Sequence, residues 1–231
     1  MITLVLSDIH ANLPALEAVL RDVGDYDQCF FLGDSVDYGS FPKECVEFLR
    51  ENMDQGVMGN HDNAMANDKD CGCRADFKIY AEETLAWHRT LLGKEDVEFL
   101  KLLPTTLNFH LDGLSIYMTH GAPDGNMYKY LKEEEIGEEE IKGLEKYDLI
   151  LIGHTHFQFK KQIGNLMIVN PGSVGLSRQS HDAHYAVLED GEVTLHYVPY
   201  NNRRTVEKLL QSPVSNFTKE GLSKIIGWVP R

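Results

Sequence analysis

The sequence predicts an α/β protein in which two packed mixed β-sheets are flanked by helices, a four-layer α/β/β/α sandwich. Two observations carry this. Through the first half, short apolar runs alternate with amphipathic helical patterns, as successive βαβ units require. In the second half strand patterns dominate, joined by hairpin signals that suit antiparallel pairing. The 231 residues fit one domain, 1–231. A hydrophobic content of 42% is ordinary for a chain with a full core.

The elements follow in order. "ITLVL" (2–6) is apolar and β-branched enough for a buried parallel strand. "LPALEAVLRDV" (13–23) places apolar residues at helical spacing. "CFFLG" (29–33) reads as a second strand, "KECVEFLREN" (43–52) as a helix and "GVMGN" (56–60) as a short third strand. From about 63 to 104 the pattern becomes a helical insertion. Its helices are "FKIYAEETLAWHRTLLG", with Gly93 as C-cap, and "KEDVEFLKLLP", stopped by Pro104. "TTLNFHLDGLSIYMTH" (105–120) is a hairpin turning at Asp112-Gly113. The acidic stretch "KEEEIGEEEIKGLEKY" (132–147) reads as a solvated helix or helix pair. Strands follow at "DLILIG", "FQFKKQIG", "LMIVNPG", "HYAVLED" and "EVTLHYVPY", and 202–226 returns to helix.

Charge narrows the function. With 36 acidic and 22 basic residues the formal net charge is −14, a field that repels polyanions. No basic run exceeds a pair, so no stable nucleic-acid complex is expected. No apolar segment is long enough to span a bilayer, and the chain begins without a basic leader, so a cytoplasmic location is expected. Of four cysteines, Cys71 and Cys73 form a Cys-x-Cys with no second pair. That is a weak zinc signal, and a loop with reduced thiols is expected.

The chemistry lies at the strand ends. Asp8 and His10 follow the first strand directly, and on that stretch alone Asp8 could simply cap the next helix. The pattern recurs, however, in "SDIHAN" (7–12), "LGDSVDYG" (32–39), "MGNHDN" (58–63), "MTHGAP" (118–123) and "IGHTHF" (152–157). Each follows an apolar run and offers Asp, Asn or His at the turn, where open α/β proteins place their sites. A core role would not repeat at five strand ends. Carboxylate, imidazole and amide oxygen together suit borderline divalent ions such as manganese, iron or zinc. Seven side chains exceed the needs of one open site, whereas two ions sharing a carboxylate would use them well.

Taken in order, the five stretches resemble the calcineurin-like metallophosphoesterases, in the small prokaryotic phosphoesterase type. Asp-x-His, Gly-Asp, Gly-Asn-His-Asp, a later His and Gly-His-x-His all occur, and "NPGSVG" (170–175) extends the likeness. The resemblance implies that Asp8, His10 and His156 bind one metal, that Asp34 bridges, and that Asn60, His120 and His154 complete the second. It implies two divalent ions per chain, manganese first, with iron, zinc, nickel or magnesium as alternatives. His61 matches a histidine beside the leaving-group oxygen, and Asp37 the carboxylate that orients it.

The implied reaction is hydrolysis of a small phosphodiester, phosphomonoester or nucleotide, by hydroxide formed on the metal pair. One position departs. The phosphoprotein phosphatase branch carries arginine directly after the position of Asp37, and here Tyr38 stands there. A phosphoprotein phosphatase and a non-catalytic scaffold of the same fold remain as alternatives. The complete donor set argues against the scaffold. The expected partner is a small phosphoester substrate, with a homo-oligomer left open.

Overall fold

The structure, a computed structural model, describes residues 1–227. It has two five-stranded mixed sheets. In the first, β1 (Ile2–Leu6), β2 (Gln28–Phe31) and β3 (Gln55–Gly56) run parallel. The antiparallel strands β9 (Ala183–Glu189) and β10 (Glu192–Val198) extend it beyond β1. The second sheet opens with a hairpin, β4 (Thr106–Leu111) and β5 (Leu114–Thr119). Next to β5 lie parallel β6 (Leu149–Leu151) and β8 (Leu166–Pro171), with β7 (Gln158–Ile163) antiparallel at the edge.

Strand alternation decides which layer each side chain serves. Val5 of β1 and Phe30 of β2 turn inward, against Ile116, Met118, Leu151 and Val169 of the second sheet. Leu4, Leu6, Cys29 and Phe31 turn outward and pack under helices. Those helices are α1 (Leu13–Val23), α2 (Pro42–Asn52), α3 (Asn60–Asn67), α4 (Ala75–His88), α5 (Lys94–Leu102), α6 (Arg203–Leu210) and α7 (Asn216–Ile226). Each buries a residue in that one cluster, from Leu16 of α1 to Leu222 of α7.

The outer face of the second sheet is covered differently. Tyr117, Ile150, Ile152 and Ile168 lie under Leu131, Ile136 and Ile141. The segment carrying these three is turns with a single 3₁₀ turn, Glu133–Glu135, so the helix or helix pair expected at 132–147 does not form. Gly137 and Gly143 interrupt it, the latter at φ 83°. Glutamates close the turns: Glu135 accepts from the Lys132 N–H and Glu140 from that of Gly137, both at 2.9 Å.

Two other boundaries differ from the sequence reading, for one reason. The third strand stops at Gly56, and the "GN" assigned to it begins α3. Likewise α4 ends at His88, and Gly93 starts α5 rather than capping α4. In both places an aspartate three residues on reaches back to the glycine N–H: Asp62 to Gly59 at 3.1 Å, Asp96 to Gly93 at 2.8 Å. This is the reciprocal half of a capping box, and it fixes a helix start. Pro104 lies just past α5, where it was expected.

Candidate metal centre

The polar strand ends converge. Asp8, His10 and His156 form one buried group whose donor atoms lie within 4.8 Å of one another, and Asp34, His120 and His154 form a second. His10 Nε2 is 3.1 Å from His156 Nε2, which is 3.1 Å from Asp8 Oδ1. Asp34 stands between the groups: its Oδ2 is 3.2 Å from His120 Nε2 and 3.9 Å from His10 Nε2. Asn60 joins the second group, with Oδ1 3.0 Å from His120 Nε2 and its Nδ2 donating to Cys71 O at 2.7 Å. All seven sequence-predicted donors are therefore in one place.

The backbone aims them. The Nδ1 atoms of His10, His120 and His156 contact the carbonyls of Val36, Leu32 and Leu176 at 2.9, 2.7 and 2.7 Å. An Nδ1–H held this way leaves the Nε2 lone pair facing the cluster. Asp8, His10, Asp34, His154 and His156 all adopt positive φ, from 46° to 65°. Non-glycine residues pay for that conformation, and such strain concentrates at functional sites. Two glycines let the turns close: a Cβ on Gly59 would sit 2.1 Å from Asp34 Oδ1, and one on Gly175 1.9 Å from Ile9 O. The second contact explains "NPGSVG". Its Ser173 Oγ and Gly175 N donate to Asp8 O at 2.7 and 3.0 Å, holding the Asp8 turn from below.

The donor set fits divalent cations. Asp8 Oδ1 and His154 Nε2 are buried without a hydrogen-bond partner, and buried acceptors left so are costly. Donors about 2.0–2.2 Å from one ion lie roughly 3–3.6 Å from each other, close to the spacings found here. Burial lowers the pKa of His10 and His154 to about 3, leaving neutral imidazoles. Burial works against charge on His120 as well, but Asp34 outweighs it and raises that group to about 9.

Beside the donors, His61 Nδ1 is 2.6 Å from Asp37 Oδ2, and its backbone N–H donates to Asp34 Oδ1 at 2.8 Å. Burial opposes its charge; Asp34 and Asp37 together overcome this and raise its pKa to about 9. The insertion abuts this pair. From α4, the Thr84 hydroxyl donates to Asp37 Oδ1, and His88 Nδ1 accepts from the Asp37 N–H at 3.2 Å. Cys71 and Cys73 are free thiols 2.8 Å apart at the same rim.

The sequence reading assigned no role to Asp62, Thr84 or His88. Asp62 accepts from Asp34 N, Ser35 N and Ser35 Oγ at 2.7, 2.8 and 2.6 Å, besides the Gly59 N–H. The signal was present as the last residue of "GNHD". Asp62→Asn is expected to keep the fold and to lose about 10–100-fold in metal affinity, the usual effect of releasing a ligand's support. Competition with a chromogenic chelator measures this, and unchanged affinity would show that the Asp34 turn holds itself.

Fold and site define a class, a two-sheet α/β sandwich carrying paired carboxylate–imidazole groups suited to divalent metal. The sequence model of the calcineurin-like phosphoesterase superfamily domain matches residues 1–191, and the chain belongs to that superfamily. An uncharacterised protein of Methanocaldococcus jannaschii is 30% identical, over 94% of this chain and 96% of its own length. The phosphodiesterase YfcE of Escherichia coli is 23% identical, over 90% and 96%. Among solved structures, a metallophosphoesterase from Sphaerobacter thermophilus is 29% identical, with TM-score 0.82 over 96% of this chain and 98% of that one. Among the described residues no helix is long and apolar enough to cross a membrane.

Proposed function

We propose that this chain is a binuclear metal-dependent phosphoesterase acting on a small phosphodiester, phosphomonoester or nucleotide in the cytoplasm, with manganese as the first-choice metal. One observation carries the reading: Asp34 stands between two buried three-donor groups, beside the hydrogen-bonded His61–Asp37 pair.

Asp8, His10 and His156 would hold the first cation and Asn60, His120 and His154 the second, with Asp34 placed to serve both. Bound divalent cations supply an activated water and neutralise phosphate charge. The protein's own groups do the rest. The buried donors fix where the phosphate sits, and the closed turns under Asp8 and Asp34 keep them from relaxing. His61 holds a proton at Nε2 for the leaving oxygen, while Asp37, fixed by Thr84 and the Tyr38 N–H at 2.7 Å, keeps the ring oriented.

Elemental analysis and a metal-reconstituted screen against chromogenic monoesters, diesters and nucleotides test this. Up to two metals per chain and turnover of at least one ester are expected. Metal without any turnover would return the scaffold alternative. Between ester classes, Tyr38 offers no charge where the phosphatase branch has arginine, and a dianionic monoester needs more positive charge than a diester. The chain's charge of −14 adds to this. With manganese, kcat/KM for bis-nitrophenyl phosphate is expected at least to match that for nitrophenyl phosphate. A clear monoester preference that persists in Arg178→Ala would refute the argument from the missing arginine.

A further inference from the structure

Tyr38 is a buried phenol, held neutral by burial first and by Asp37 next. It supplies no cation to a phosphate, but an arginine stands on the loop that packs against the His156 turn. Arg178 follows the "NPGSVG" turn, and its backbone N–H donates to His156 O at 3.4 Å. Its guanidinium lies over the Phe77 ring of α4, 4.8 Å from the centroid, and Phe77 packs edge-on against Tyr38. Arg178 lines a cleft of about 190 Å³ with Tyr130, Phe157, Arg74, Lys132 and Glu135. Thr155 and Phe157, either side of His156, belong to the same wall.

The three cations of this cleft differ. Arg74 is bound to Asp76 at 3.1 Å, and Lys132 lies 3.8 Å from Glu134. Arg178 has no carboxylate partner among the described residues, and its Nε is buried without any hydrogen bond. A guanidinium stacked on a ring keeps its in-plane donors free. Leaving one buried and unmade is a cost that packing alone does not explain. Tyr130 shares the cleft with Arg178 and also touches a donor. Its ring is 4.0 Å from that of His154.

We propose that Arg178 and Tyr130 form the phosphate-holding subsite of this centre, donating to a non-bridging oxygen of the phosphoester and making Arg178 the specificity-determining cation absent at position 38. This rests on the phosphoesterase reading. The stacked arginine brings a full positive charge within reach of the phosphate, and Tyr130 adds a neutral donor beside it. The subsite favours the more highly charged ester, so it offsets part of what Tyr38 lacks.

Inorganic phosphate is the probe, titrated calorimetrically into metal-loaded wild type, Arg178→Ala, Arg178→Lys and Tyr130→Phe. Arg178→Ala is expected to weaken phosphate binding about 10–100-fold, as loss of a charge-assisted hydrogen bond does. Metal content should be unchanged, and Arg178→Lys should recover part of the loss. Tyr130→Phe, which keeps the ring, should weaken it about 3–10-fold, as for a neutral hydrogen bond. In kinetics KM should rise, more for nitrophenyl phosphate than for its diester. Ester turnover together with unchanged phosphate affinity in Arg178→Ala would overturn the subsite and leave the activity standing. A wild-type protein that binds phosphate through Arg178 but cleaves no ester would overturn the activity and leave the subsite.

Discussion

Replacing Asp34 with asparagine is expected to abolish turnover and to reduce bound metal from about two ions per chain to one or fewer. Asp34 faces both donor groups, at 3.2 Å from His120 Nε2 and 3.9 Å from His10 Nε2. Its other oxygen accepts the His61 N–H, which orders the start of α3. Asparagine keeps the shape and that hydrogen bond but loses the charge, so the fold should survive while the shared position fails. Loss of one donor elsewhere, as in His154→Ala, should release one ion and leave the other. Elemental analysis after reconstitution separates these results. Two ions retained in Asp34→Asn would mean that Asp34 supports a turn and bridges nothing.

Much of this site was legible because its signals are local. An apolar run followed at once by Asp, Asn or His marks a strand end carrying polar groups, and five such ends recur between residues 7 and 157. Asp112-Gly113 likewise announced its own turn, and both residues adopt the positive φ that a tight hairpin needs. What escaped depends on contacts distant in sequence. Thr84 and His88 sit on α4 with nothing in the local sequence to distinguish them, yet they hold Asp37, more than forty positions earlier. That Arg178 has no carboxylate partner among the described residues depends on where Phe77 and the carboxylates lie, which no local pattern encodes. The acidic stretch misled because glutamate favours helix in isolation. Here two isoleucines must reach the face of a sheet, and tertiary packing overrode propensity.

His61 should separate chemistry from metal binding. His61→Gln is expected to keep full metal content and to lose about 10²–10⁴-fold in kcat, the range for a general acid. The reason is geometric. His61 Nδ1 is committed to Asp37 at 2.6 Å, so its Nε2 is the atom left to serve a substrate. Among the described residues its one hydrogen-bonding contact is the Tyr38 hydroxyl, at 3.4 Å. Asp34 and Asp37 hold the ring charged against burial, so the proton is in place before substrate arrives. A proton donor matters most when the leaving oxygen is a poor leaving group. The defect should therefore be large for an alkyl ester and shrink for a nitrophenyl ester, whose phenolate departs with little help. Asp37→Asn should give a milder form of the same pattern, because it removes the partner that charges and orients the ring. Equal losses on alkyl and nitrophenyl esters would assign His61 to holding the phosphate, and loss of metal with loss of rate would place it among the ligands.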